Sequence, residues 1–133
     1  MTTLSKVLLT LFTLSALLLA GCKTAPIYEV TAAPIPAPAG KTLTMADVEK
    51  AIVRGGMRAG WQVSPEAPGR ASGRYNQGAH STTVGIEYDT HVYSIKMRET
   101  SVRSDGATVH RAYNTWVQGL ERSINTEFLT MGQ

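Results

Sequence analysis

The chain has 133 residues, 43% of them hydrophobic and 17% charged, with a formal net charge of +3 and one cysteine. A domain usually takes ~100–200 residues, so this length excludes several domains, and one thiol excludes an intrachain disulfide framework. The averages hide a division: Met1–Gly21 is aliphatic with one charged residue, Lys6, and all the others lie beyond it.

Val7–Ala20 is an apolar run broken only by Thr and Ser. A basic start, a short apolar stretch and small residues at its end predict a secretory signal over residues 1–21. The run is short of the ~20 apolar residues that a membrane span needs. Its end, Leu19-Ala20-Gly21-Cys22, resembles the lipobox of bacterial lipoproteins. That resemblance implies cleavage before Cys22, a diacylglycerol on its thiol and an acyl chain on its new amino group. It also implies the inner leaflet of the outer membrane, facing the periplasm, because Lys23 rather than Asp follows the cysteine. Each acyl chain contributes ~0.8 kcal/mol per buried CH₂, so more than one chain anchors stably. The expected mature chain is held by lipid, with no transmembrane helix and no cofactor beyond the covalent diacylglycerol and N-acyl lipid.

Residues 22–40 read as the lipidated cysteine and an Ala/Pro-rich linker, with Pro26, Pro34, Pro36 and Pro38. Spaced prolines oppose helix and favour polyproline II, so the segment is expected to be a semi-rigid spacer.

Residues 41–133 are expected to form one small α+β domain. Thr44-Met45-Ala46-Asp47 has the form of a capping box opening a helix, in which Val48, Ile52 and Ala59 share a face with Ala51 beside them. Gly55-Gly56 weakens that helix by ~1 kcal/mol per glycine relative to Ala, and Gly60 is a plausible stop. Trp61-Gln62-Val63 begins a short strand ended by Pro65 and Pro68. Three runs then alternate with period two: Ala71, Gly73, Tyr75; Thr82, Val84, Ile86, Tyr88; and Tyr93, Ile95, Met97. Such alternation predicts antiparallel strands with one buried face. Gln77–Ala79 and Asp89–His91 suit hairpin turns. After a polar loop over 101–108, Val109, Tyr113, Trp116, Val117, Leu120 and Ile124 recur at three and four, the stripe of an amphipathic helix. The predicted order is α-β-β-β-β-α. The predicted fold is a two-layer sandwich with two helices on one face of a four-stranded antiparallel sheet.

Chemical signals are sparse. There is no H-E-x-x-H, no paired-cysteine zinc pattern and no G-x-S-x-G, so no metal and no catalytic residue is assigned. Eleven basic against nine acidic residues from Lys41 onward is too even a balance for a nucleic-acid partner. Two surfaces remain. His80, His110, Tyr113 and Asn114 could form a small polar pocket, since His110 and Asn114 share a helix side; they could equally brace the fold. Arg70, Arg74, Lys96 and Arg98, with Glu87 opposing them, would lie on the wet sheet face. They could dock an anionic envelope component or an envelope protein, or pair across strands. Trp61 and Trp116 read as core, with a ligand platform as the alternative.

Arg58-Ala59-Gly60-Trp61, Ala79-His80, Gly85-Ile86-Glu87-Tyr88, Tyr93-Ser94-Ile95 and His110-Arg111-Ala112-Tyr113-Asn114-Thr115-Trp116-Val117, with the lipobox and Pro-rich stretch, resemble a family of small proteobacterial lipoproteins. The His-x-x-Tyr-Asn-x-Trp helix is its most specific part. The chain departs from it at Glu99-Thr100-Ser101, where that family usually carries an aspartate-serine pair. The resemblance implies a lipid-anchored envelope protein and supplies no activity. The functional expectation is a non-enzymatic binding or structural module bound to the membrane. The alternative is a hydrolase of envelope material using His110 and Asn114.

Overall fold

The computed structural model describes residues 23–131. The signal, the lipobox and Cys22 lie outside the described residues. In chain order the elements are β1 (Thr24–Pro26), β2 (Val30–Pro34), α1 (Met45–Arg58), β3 (Gln62–Ala67), β4 (Arg70–Gln77), β5 (His80–Tyr88), β6 (Val92–Thr100), β7 (Thr108–His110) and α2 (Arg111–Thr130).

The architecture is α+β, as expected, but the main sheet has five antiparallel strands rather than four, in the order β2-β6-β5-β4-β3. A second sheet pairs β1 with β7. β1 and β2 come from the Ala/Pro-rich segment expected to be a spacer, and β7 takes Val109 and His110, expected to open the last helix, which instead starts at Arg111. Proline opposes helix but is tolerated at the edge of a sheet, where one side of the strand needs no donor. Pro34 ends β2 opposite Val92, and Val30 lies opposite Ile95, buried to 3% exposure. Ile27, Tyr28 and Ile35 also pack on the core. Among the described residues the fold therefore begins at β1, and the expected spacer is structural. β3 likewise runs through Pro65 to Ala67, because it is the opposite edge.

The alternation of apolar residues decides which face is covered. Ala71, Val84, Ile86, Tyr88, Tyr93 and Ile95 are buried beneath the helices, with Val48, Ile52, Val117, Leu120, Ile124 and Phe128 from the helical layer. The hydroxyl of the buried Thr82 donates to the Glu99 carbonyl at 3.0 Å.

The capping box is formed as predicted: Thr44 Oγ1 accepts from the Asp47 amide at 3.1 Å, and Asp47 Oδ2 accepts from the Thr44 amide at 2.9 Å. The paired glycines have a role that periodicity does not reveal. A Cβ on Gly55 would lie 2.6 Å from Ile124 Cα, and one on Gly56 would lie 2.2 Å from Val63 Cγ2. Their bare backbone lets α1 close on α2 and on β3. At the far end of this contact Arg58 Nε lies 2.9 Å from Oε1 of the buried Glu127, an ion pair too poorly aligned to count as a hydrogen bond. Among the described residues no helix is long and apolar enough to cross a membrane.

Candidate functional site

Of the four residues expected to form a polar pocket, the fold brings two together. His80 opens β5 and His110 ends β7, thirty residues apart in sequence, yet both line one cavity of about 370 Å³. Gln77, Ser101, Arg103 and Trp116 complete its polar and aromatic wall. Small-molecule sites usually span ~300–1,000 Å³, so the volume is sufficient for a small ligand.

Tyr113 and Asn114 are placed elsewhere. The Tyr113 ring is fully buried in the core, and its hydroxyl has no hydrogen-bond partner. Burial, then the Glu29 charge, pushes its phenol pKa up. Asn114 braces the N-terminal strands. Its Oδ1 accepts from the Tyr28 amide at 2.9 Å, and its Nδ2 donates to the Pro26 carbonyl at 2.8 Å. Both ends of the amide are thus occupied in holding the β1–β2 connection, and Asn114 does not line the cavity that holds His110. The helical spacing that suggested a His110–Asn114 pair does not join them, because the segment that claims Asn114 was read as spacer.

His110 is the N-cap of α2, and its Nδ1 accepts from the Ala112 amide at 3.2 Å. This assigns the lone pair of the neutral ring to Nδ1 and its proton to Nε2. In that tautomer the free ring nitrogen is a donor, which suits holding an acceptor or an anion. A general base needs an unprotonated nitrogen directed at substrate.

Trp61 and Trp116 both pack on the core, to different depths. Trp61 is buried to 3% exposure, whereas Trp116 is half-buried and walls the cavity. Tyr75 lies between them, with ring centroids 5.2 Å from each. Such tilted pairs contribute ~0.5–1.5 kcal/mol beyond the area they bury, so the ladder fixes the Trp116 ring from the core outward.

Arg103 was missed by sequence reasoning because it lies in a polar loop with no periodicity. Its backbone carbonyl accepts from the His110 amide at 2.8 Å, which places it beside β7. Its side chain forms no salt bridge among the described residues. The next carboxylate along the loop, Asp105, is occupied: Oδ1 accepts from the Ala107 and Thr108 amides at 3.0 and 2.7 Å, and Oδ2 from the Thr108 hydroxyl at 3.0 Å. Those backbone bonds hold the Asp105 carboxyl below its ordinary pKa. No carboxylate lines the 370 Å³ cavity.

The basic sheet face is present, and Arg98 is ion-paired on it. Arg70, Arg74, Lys96 and Arg98 are all exposed, opposite the helical layer. Arg70 lies directly across from Glu87 in the β4–β5 register. Arg98 sits where β6 slips by one residue against β5 and reaches across the sheet to Glu66 on β3, with Nη1 and Nη2 donating at 2.8 and 2.9 Å. Its guanidinium passes over Gly85, where a Cβ would lie 2.7 Å from Arg98 Nε. The Arg98 bonds hold the Glu66 carboxyl below its usual range. Glu66 lies beyond Pro65, where the sequence predicts β3 to stop. A larger hollow of about 660 Å³ lies at the opposite end of the sheet, where Arg70 meets Glu87 and Asp89. Among the described residues no group of His, Cys, Asp and Glu is arranged to hold a metal ion.

The chain matches no family model, no curated protein and no solved structure.

Proposed function

We propose that this chain is a bacterial cell-envelope lipoprotein, anchored through Cys22 to the inner leaflet of the outer membrane. Its periplasm-facing domain acts as a non-enzymatic binding module. The observation that carries the reading is Leu19-Ala20-Gly21-Cys22 at the end of a short apolar run, immediately ahead of the fold. Lys23 in place of Asp supports the outer membrane. Binding rather than catalysis is supported by the cavity of His80, Arg103, His110 and Trp116, where the cap assigns the free ring nitrogen of neutral His110 as a donor.

The test is fractionation with intact mass. Wild-type chain is expected in the outer-membrane fraction with its N-terminus at Cys22 and the added mass of diacylglycerol and an acyl chain. Cys22→Ser is expected to lose both the lipid and processing at that site. A wild-type chain without added lipid, cut elsewhere or not at all, refutes the anchor. Efficient turnover of an envelope ester or amide by the wild type, abolished in a folded His110→Ala variant, refutes the non-enzymatic reading.

A further inference from the structure

The strand β1 begins at Thr24, two residues beyond Cys22. Two residues of fully extended chain span only ~7 Å. Thr24 is paired with His110, and antiparallel Cα partners lie ~4.5–5.5 Å apart. The anchor residue is therefore attached within roughly 13 Å of the His110 backbone, whatever path the two residues take. A spacer would let the domain tumble above the membrane. With the expected spacer folded into β1 and β2, the attachment is short and fixed to one end of the domain.

That end carries the cavity. Thr24 also lines a second hollow, of about 180 Å³, with Arg103, Ser104, Asp105 and Thr108. Arg103 belongs to the walls of both hollows, so the anchor emerges beside the larger one. The larger cavity holds one formal charge, Arg103, which forms no salt bridge among the described residues, beside the hydrogen-bonding rings of His80 and His110; no carboxylate lines it, and Asp105 in the smaller hollow has its oxygens engaged by its own loop. Trp116 adds an amphipathic ring of the kind favoured at a membrane interface. A bilayer surface supplies the complement, anionic phosphate at the depth where a lipidated cysteine leaves the membrane.

We infer that the domain stands directly on the bilayer, with the cavity of His80, Arg103, His110 and Trp116 facing it and holding the phosphate of an anionic phospholipid headgroup. The inference rests on the lipid anchor proposed above and adds an orientation and a ligand. The hairpin joining β5 to β6 then points into the periplasm. The nine residues of β5 separate the two ends by about 27 Å, at ~3.3 Å per residue.

The experiment uses the full acylated chain in vesicles of phosphatidylethanolamine and phosphatidylglycerol. Cys22 is the sole cysteine and is consumed by lipid in this reading, so an introduced thiol carries a unique spin label. Gln77→Cys places the label on the cavity wall, and Thr90→Cys places it at the far hairpin. A headgroup-chelated nickel lipid should relax the label at Gln77→Cys strongly and leave the label at Thr90→Cys close to its solution value. Equal relaxation at both sites overturns the orientation. Intact mass on the same samples separates this from failure of the anchor, which would appear as unlipidated chain.

The headgroup is tested by Arg103→Ser, which leaves the backbone carbonyl bonded to His110 in place. The preference of the bound chain for spin-labelled phosphatidylglycerol over phosphatidylcholine should fall about fivefold, the scale of one basic residue at an anionic surface. An unchanged preference overturns the headgroup site. Saturable binding of soluble glycerol phosphate by the detergent-held chain, undiminished by added vesicles, overturns the membrane as the source of the phosphate.

Discussion

Gly55→Ala and Gly119→Ala form a matched pair whose outcomes should have opposite sign. Both glycines are interior to helices, where Ala is favoured over Gly by ~1 kcal/mol. At Gly119 an added Cβ meets nothing closer than Arg122 Nη2 at 3.9 Å, so that gain is realised. At Gly55 the new Cβ would lie 2.6 Å from Ile124 Cα and 2.8 Å from its nitrogen. No rotamer relieves a clash with backbone; α2 must withdraw by about 1 Å from a well-packed contact. Overpacking of this kind costs ~1–3 kcal/mol. Set against the ~1 kcal/mol of propensity gained, Gly55→Ala should lose up to ~2 kcal/mol. Each ~1 kcal/mol moves Tm by roughly 4–8 °C in a domain of this size. Thermal melts followed by far-UV circular dichroism should show Gly119→Ala rising by about 4 °C and Gly55→Ala falling, by up to about 16 °C. If Gly55→Ala rises in step with Gly119→Ala, the helices do not cross at Gly55 and Ile124, and the packing argument is wrong.

Asn114→Ala should expose its bracing role. It strands the part-buried Tyr28 amide, at ~1–3 kcal/mol, while water can take over the exposed Pro26 carbonyl. Hydrogen exchange should accelerate at Tyr28 while the β4–β5 amides stay protected; uniform acceleration would contradict a local brace. His110→Ala removes the cap of α2 and should cost ~0.5–2 kcal/mol, whereas His110→Asn should restore most of it because Asn caps well. Urea midpoints that are equal for the two variants would deny the cap. Stability should fall at both extremes of pH. Backbone amides, with those of Thr44, of Val92 and His91, and of Thr108 and Ala107 respectively, hold Asp47, Asp89 and Asp105 below the ordinary 3.8. Their contribution is whole above 3.8 and fades as pH drops through the lower folded values. Burial and then the Glu49 bond push Tyr88 from 10.0 up to about 12. Its contribution is whole below pH 10 and fades as pH rises toward about 12. Denaturant midpoints unchanged across either range would refute those assignments.

Much of the fold was legible because solvent sorts side chains by period. Thr82, Val84, Ile86 and Tyr88 alternate along β5, and Tyr113, Val117, Leu120 and Ile124 recur along α2. The buried sides are the ones their spacing indicates. Thr44 and Asp47 could be read as a cap because both partners lie within one helical turn. Local rules failed where the deciding partner is distant. Val30 to Pro34 has a spacer's composition, and it becomes a strand only because the outer edge of β6 is vacant. Gly55 and Gly56 read as defects until Ile124 and Val63 are set against them.

The candidate site divides in the same way. His110 and Asn114 were singled out from one helix turn, but α2 could not reveal that β1–β2 would claim Asn114 and leave His110 with His80. Arg98 was placed on the wet face by period two, while its bond to Glu66 required four neighbouring strands in register. The sequence alone carried what depends on near neighbours: the helix cap, and the inward faces of β4, β5, β6 and the two helices. Tertiary structure decided what depends on contacts between remote segments: an expected spacer that folds as two strands, a cavity assembled from the β4–β5 turn, the loop after β6 and the junction of β7 with α2, and a described fold that begins at Thr24 rather than after Gly40. The physical reason is that burial pattern and capping are set within a turn or a strand, whereas a vacant sheet edge exists only after the other strands have paired.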